Sequence, residues 1–119
     1  MKNILFLALT ILAFPTKSLA TDAYLNNVKI ESVAVIARAG PHKPGNLEVK
    51  ILNGFTLPTG LNCDTNYLAT KDTTPGFPYM AAMMMLAYDK QKLTTLIVSD
   101  DPADSGFPGR CSIVATVLK

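Results

Sequence analysis

The sequence predicts a small, mainly β domain with one α-helix, ordered β-β-β-α-β-β. Three observations carry this. Short runs of alternating or wholly apolar residues recur between Pro- and Gly-rich breaks. Only one stretch, Tyr79 to Lys92, is built of strong helix formers. The length, 119 residues, suits a single domain.

The chain opens with a segment that stands apart from that domain. Met1-Lys2-Asn3 is short and basic, Ile4 to Phe14 is apolar throughout, and Ser18-Leu19-Ala20 places small residues before Thr21. This three-part pattern is that of a secretory signal peptide, expected to occupy residues 1–20 and to leave a domain at 21–119. The apolar run is too short to span a bilayer core of about 30 Å. An exported protein, periplasmic or secreted, with no membrane span after cleavage is therefore expected.

The elements follow in order. Val28 to Ala37 (VKIESVAVIA) is a strand, alternating in its first half and apolar on both faces in its second. Arg38 to Asn46 holds two Pro and two Gly and reads as a loop. Leu47 to Leu52 alternates strictly, with Leu47, Val49 and Ile51 inward and Glu48 and Lys50 outward. Asn53-Gly54 and Pro58-Thr59-Gly60 mark turns. Thr65 to Thr70 is a third strand. Pro78 suits the first helical position, where its missing N–H costs nothing, and Lys90 and Lys92 suit the helix C-terminus. Leu93 to Ser99 and Cys111 to Leu118 are the last two strands, joined by a polar loop, Asp100 to Gly109.

Cys63 and Cys111 are the two cysteines, 48 positions apart. In an oxidising compartment an even pair reads as a disulfide. The chain-entropy model gives such a loop roughly 4 kcal/mol of stabilisation. Metal ligation needs more and closer ligands than these two thiols and the single histidine, so neither a metal nor a cofactor is expected. The formal charge of +2 includes Lys2 and Lys17. Without them cations and anions balance, and nucleic acid is not an expected partner.

Chemistry-bearing motifs are few. Arg38-Ala39-Gly40-Pro41-His42-Lys43-Pro44 resembles the Arg-His-Gly-x-Arg-x-Pro signature of histidine acid phosphatases. It departs from that signature at its nucleophile, where Ala39 stands, and at its second arginine, where His42 stands. His42 could serve a Ser–His–Asp arrangement, but no nucleophile motif accompanies it. Asp100, Asp101 and Asp104 form an acidic loop whose spacing Pro102 interrupts, so the EF-hand pattern is absent. No catalytic residue is assigned, and a non-enzymatic role is expected. Phe55, Phe77 and Phe107 sit beside Gly or Pro in loops, where rings either stack on a ligand or cap the ends of a sheet.

Residues 79 to 88 carry no charge in any direction around the helix. A helix apolar all round is covered on more than one side. Tyr79, Met80, Met83, Met84, Met85 and Tyr88 are therefore candidates for an interface with a second copy or another chain, methionine being common in interface cores. The competing expectation is a core helix covered by the 53–77 loop.

Three strands, a helix and two strands is the order of the five-stranded OB-like barrel. It is equally the order of a small α+β sheet with a crossover helix. The layout from Val28 to Leu118 resembles the B subunits of bacterial pentameric toxins. Those are exported, disulfide-bonded OB-fold domains of similar size, with one helix followed directly by a strand, a loop and a final strand. The resemblance implies a homo-oligomer that binds a glycan or a protein, and it transfers no ligand-binding residue. This chain departs from the family in its helix, which is apolar where the toxin pore helices are largely polar. The alternative is a periplasmic or secreted accessory or inhibitor protein docking through the methionine helix.

Overall fold

The computed structural model describes residues 22–119; the expected signal peptide, 1–20, lies outside the described residues. The chain is mainly β with one helix. β1 is Asp22–Val28, β2 Ile30–Ile36, β3 Asn46–Ile51, β4 Tyr67–Thr70, α1 Phe77–Lys90, β5 Thr94–Ser99 and β6 Ser112–Leu118. Two three-stranded antiparallel sheets result, ordered β1-β5-β6 and β2-β3-β4.

This corrects the five-stranded barrel in two respects. There are six strands, because Asp22–Val28 precedes the first predicted one. Asp22, Asn26 and Asn27 gave it poor β-propensity, and its pairing with β5 overrides that. Second, the sheets do not close into a barrel. β1 and β2 are separated by Lys29 alone, beside a register shift and an Asn27 held at φ 55°. One bent run thus serves β5 on one side and β3 on the other. At the far side, β4 and β6 meet at one parallel bridge, Leu68 to Cys111, where Ala69 N–H donates to Cys111 O at 3.1 Å. Beyond it the Thr70 hydroxyl takes the place of a strand partner and accepts from Ile113 N–H at 3.2 Å.

Alternation in β3 holds: Leu47, Val49 and Ile51 are buried. They meet Leu68 of β4, Leu96 and Val98 of β5 and Ile113 of β6 in one apolar cluster. Met80, Ala81, Met84 and Ala87 close that cluster from the helix. Ala115 and Val117, further along β6, lie outside that cluster, and Val117 is exposed. The helix begins at Phe77 and ends at Lys90, two residues before the expected span at each end. Gly76 at φ 76° precedes it, and Gln91 at φ 52° terminates it, donating its backbone N–H to Tyr88 O.

Cys63 and Cys111 form the expected disulfide. It ties the 52–66 loop to the start of β6, beside the bridge that joins the two sheets. Among the described residues no helix is long and apolar enough to cross a membrane.

Candidate functional site

The loop between β5 and β6, residues 100–111, folds over the outer face of β3 and β4. Strict alternation in β3 turns Asn46, Glu48 and Lys50 toward that face, and Tyr67 of β4 pairs with Lys50. On this row Arg110 lies between two rings. Its guanidinium carbon is 3.9 Å from the centre of Phe107 and 4.6 Å from that of Tyr67. Its Nη1 donates to Glu48 Oε2 at 2.6 Å. The same carboxylate oxygen stands 3.4 Å from His42 Nε2, and the His42 ring packs on Phe107 with centroids 4.5 Å apart.

Asn46 holds the second half of the arrangement. It is fully buried, because the 100–111 loop covers it. Its Nδ2 lies 2.7 Å from His42 Nδ1 and 3.1 Å from Gly106 O. A carbonyl oxygen only accepts, so Nδ2 is the donor to it. The other amide hydrogen then faces His42 Nδ1, which must accept. His42 therefore carries its proton on Nε2, toward Glu48. Lys43 N–H donates to the same Gly106 carbonyl at 2.9 Å. Asn46 Oδ1 is buried without a hydrogen-bond partner and lies against Gly106, where a Cβ would sit 2.6 Å from it. Two loops distant in sequence thus meet at the Gly106 carbonyl, which accepts from both the Asn46 amide and the Lys43 N–H.

Between these loops lies a cavity of about 390 Å³, at the small end of the range for small-molecule sites. Pro41 and Lys43 line one side, Asn62 another, and Asp100, Ser105, Phe107 and Arg110 the loop side. Lys43 and Arg110 bring cations to the lining and Asp100 a carboxylate, and Glu48 accepts from Arg110. The disulfide backs it, since Asn62 precedes Cys63 and Arg110 precedes Cys111.

The residues singled out in the sequence fall as follows. His42 lies in this cluster with both ring nitrogens engaged inside the protein. Asp101 caps a short 3₁₀ turn, Pro102–Asp104, accepting from Ala103 N–H at 2.9 Å, and Asp104 O accepts from the Ser112 hydroxyl. Lys71 donates from its ammonium to Ala103 O, pinning the same turn. Among the described residues no group of His, Cys, Asp or Glu is gathered to hold a metal ion. Phe55 and Phe77 pack against the core, whereas Phe107 forms the cavity wall.

Of the interface candidates, Met80 and Met84 belong to the core of the protomer itself. Met83 is half-buried, and Tyr79, Met85 and Tyr88 are exposed, at 78%, 51% and 46%. Leu86 and Leu93 are exposed with them. Asn46, Glu48, Tyr67 and Arg110 went unnoticed in the sequence. The polar row Asn46-x-Glu48-x-Lys50 on a strictly alternating strand was the available signal, but a solvated face gives the same pattern.

Comparison with protein-family models, with curated proteins and with solved structures finds no significant match.

Proposed function

We propose that the protein is an exported, non-enzymatic binding module of OB-like architecture, similar in layout to toxin B subunits, which takes a glycan in the cavity beside Arg110 and self-associates through its helix. The OB-like reading is supported by the bent 22–36 run shared between two sheets, the helix between β4 and β5, and the parallel contact of β4 with β6. The observation that carries the functional reading is how the cluster's polar groups are used. His42, Asn46, Glu48 and Arg110 bond to one another and fix the cavity's shape, rather than presenting a free base beside a nucleophile. Rigid walls with mixed donors, acceptors and a ring are what recognition of a neutral, hydroxyl-rich ligand needs. A glycan array followed by ¹⁵N NMR titration tests this. Shifts confined to residues 41–43, 62, 100–102 and 105–110 support it; an array without binders, or shifts elsewhere, overturns it.

A second reading is favoured by Tyr79, Met85, Leu86 and Tyr88, large apolar side chains exposed on one short helix. In that reading the protein is an accessory or inhibitor that docks a different chain. Native mass spectrometry separates the two: a multiple of one chain mass supports self-association, and a lone protomer leaves the heterologous partner as the occupant.

A further inference from the structure

We propose that the Asn46 amide, clamped between His42 and Gly106, is an acid-released latch that sets whether the cavity wall is closed. The proposal takes the cavity as the ligand site, and it is read on ligand-free protein, so the two can fail separately.

The argument starts from hydrogen count. Both hydrogens of Asn46 Nδ2 are committed, one to Gly106 O and one to His42 Nδ1. Only an unprotonated Nδ1 can accept. Imidazole side chains as a class change charge between about pH 5 and 8. A proton arriving from solvent at Nδ1 would place N–H against N–H. Rotating the amide by half a turn does not relieve this. It would direct Oδ1 toward Gly106 O, two acceptors face to face, and leave Nδ2 buried against the Gly106 α-carbon with nothing to donate to. Asn46 is fully buried, so water cannot substitute without the loop lifting.

The charged groups around His42 do not reverse this. Glu48 faces Nε2 from β3, and Arg110, from the loop before β6, already holds the same carboxylate oxygen at 2.6 Å. Lys43 stands next to His42 in the same loop. Phe107 contributes a ring and no charge. The conflict therefore sits at Nδ1, and its outlet is the Gly106 segment, which carries Ser105 and Phe107 of the cavity wall. Acid opens the wall and neutral pH closes it, as release of a ligand in an acidified compartment would require.

His42 is the only histidine, so its ring titration is read without ambiguity. The test is ¹⁵N NMR of the ligand-free protein from pH 7.5 to 5.0, observing the imidazole nitrogens, the Lys43 amide and the amides of residues 105–110. The expected result is an Nε2-protonated tautomer at pH 7.5 and loop shifts with the ring's own midpoint. Exchange of the Lys43 amide, corrected for intrinsic pH dependence, should rise at least tenfold. His42→Gln supplies an acceptor that does not titrate and should abolish the transition while keeping Lys43 protected. An Nδ1-protonated ring at pH 7.5, loop amides that ignore the ring's titration, or a transition that persists in His42→Gln overturns the proposal. Should His42→Gln not fold, coincidence or divergence of the two wild-type midpoints decides alone.

Discussion

Gly106 leaves no room for a side chain. An alanine Cβ there would lie 2.6 Å from Asn46 Oδ1 and 3.1 Å from the Lys71 backbone nitrogen, against an ordinary contact of at least 3.4 Å. Asn46 must give by several tenths of an ångström, and its side chain is held on both sides, 2.7 Å from His42 Nδ1 and 3.1 Å from Gly106 O. Both bonds cannot keep their geometry. A buried donor left unpaired costs about 1–3 kcal/mol, so Gly106→Ala should lose about 2–4 kcal/mol. For a domain of this size that lowers the melting temperature by roughly 10–20 °C. Gly109→Ala is the control. Its Cβ meets nothing within 4 Å, and φ of 80° leaves only backbone strain, about 1–2 kcal/mol. Urea unfolding of the two oxidised variants compares them directly. If Gly106→Ala unfolds within about 0.5 kcal/mol of the parent, the amide is not clamped and the reasoning built on it is wrong.

Met84→Ala should cost about 2–5 kcal/mol in urea unfolding, while the same change at exposed Met85 should leave stability nearly unmoved and weaken self-association in sedimentation velocity. Cys63→Ser with Cys111→Ser should cost about 2–5 kcal/mol, read from melting under oxidising conditions. Thr70→Val removes the hydroxyl that serves Ile113 N–H and should cost about 1–3 kcal/mol, with the β4–β6 seam losing exchange protection first. Lys50 is held above its usual range by the hydrogen bond and then the charge of Glu31. Its contribution is present below the unfolded lysine value and is lost as pH rises through the raised folded one. Both groups are solvent-exposed, so melts of Glu31→Gln should differ from the parent only slightly, and only below that alkaline limit.

Local rules carried most of the framework. Strict alternation found β3 and its buried face, Pro78 and the Ala/Met composition found the helix, and Pro/Gly clusters found the loops. They failed where partners distant in sequence decide. Asp22–Val28 became a strand because β5 lies beside it, against its own Asp and Asn content. Asn46 and Glu48 became cluster residues because a loop about 60 positions later folds over them. Ten uncharged positions in the helix ask for cover on more than one side: Met80, Ala81, Met84 and Ala87 enter the protomer's own core, while Tyr79, Met85, Leu86 and Tyr88 stay exposed, a division that depends on which face the sheets meet.

The arrangement of the outermost strands has a mechanical consequence. β1 and β6 both run antiparallel to β5, hence parallel to each other, with Asp22 opposite Ser99 and Leu118 opposite Thr94. Tension applied between those two ends acts along the strands and loads both ladders in shear, so their hydrogen bonds resist together instead of parting one at a time. The loop closed by Cys63 and Cys111, a sequence separation of 48, is withheld from any such stretching. Under tension the domain should give way abruptly, and by a short distance.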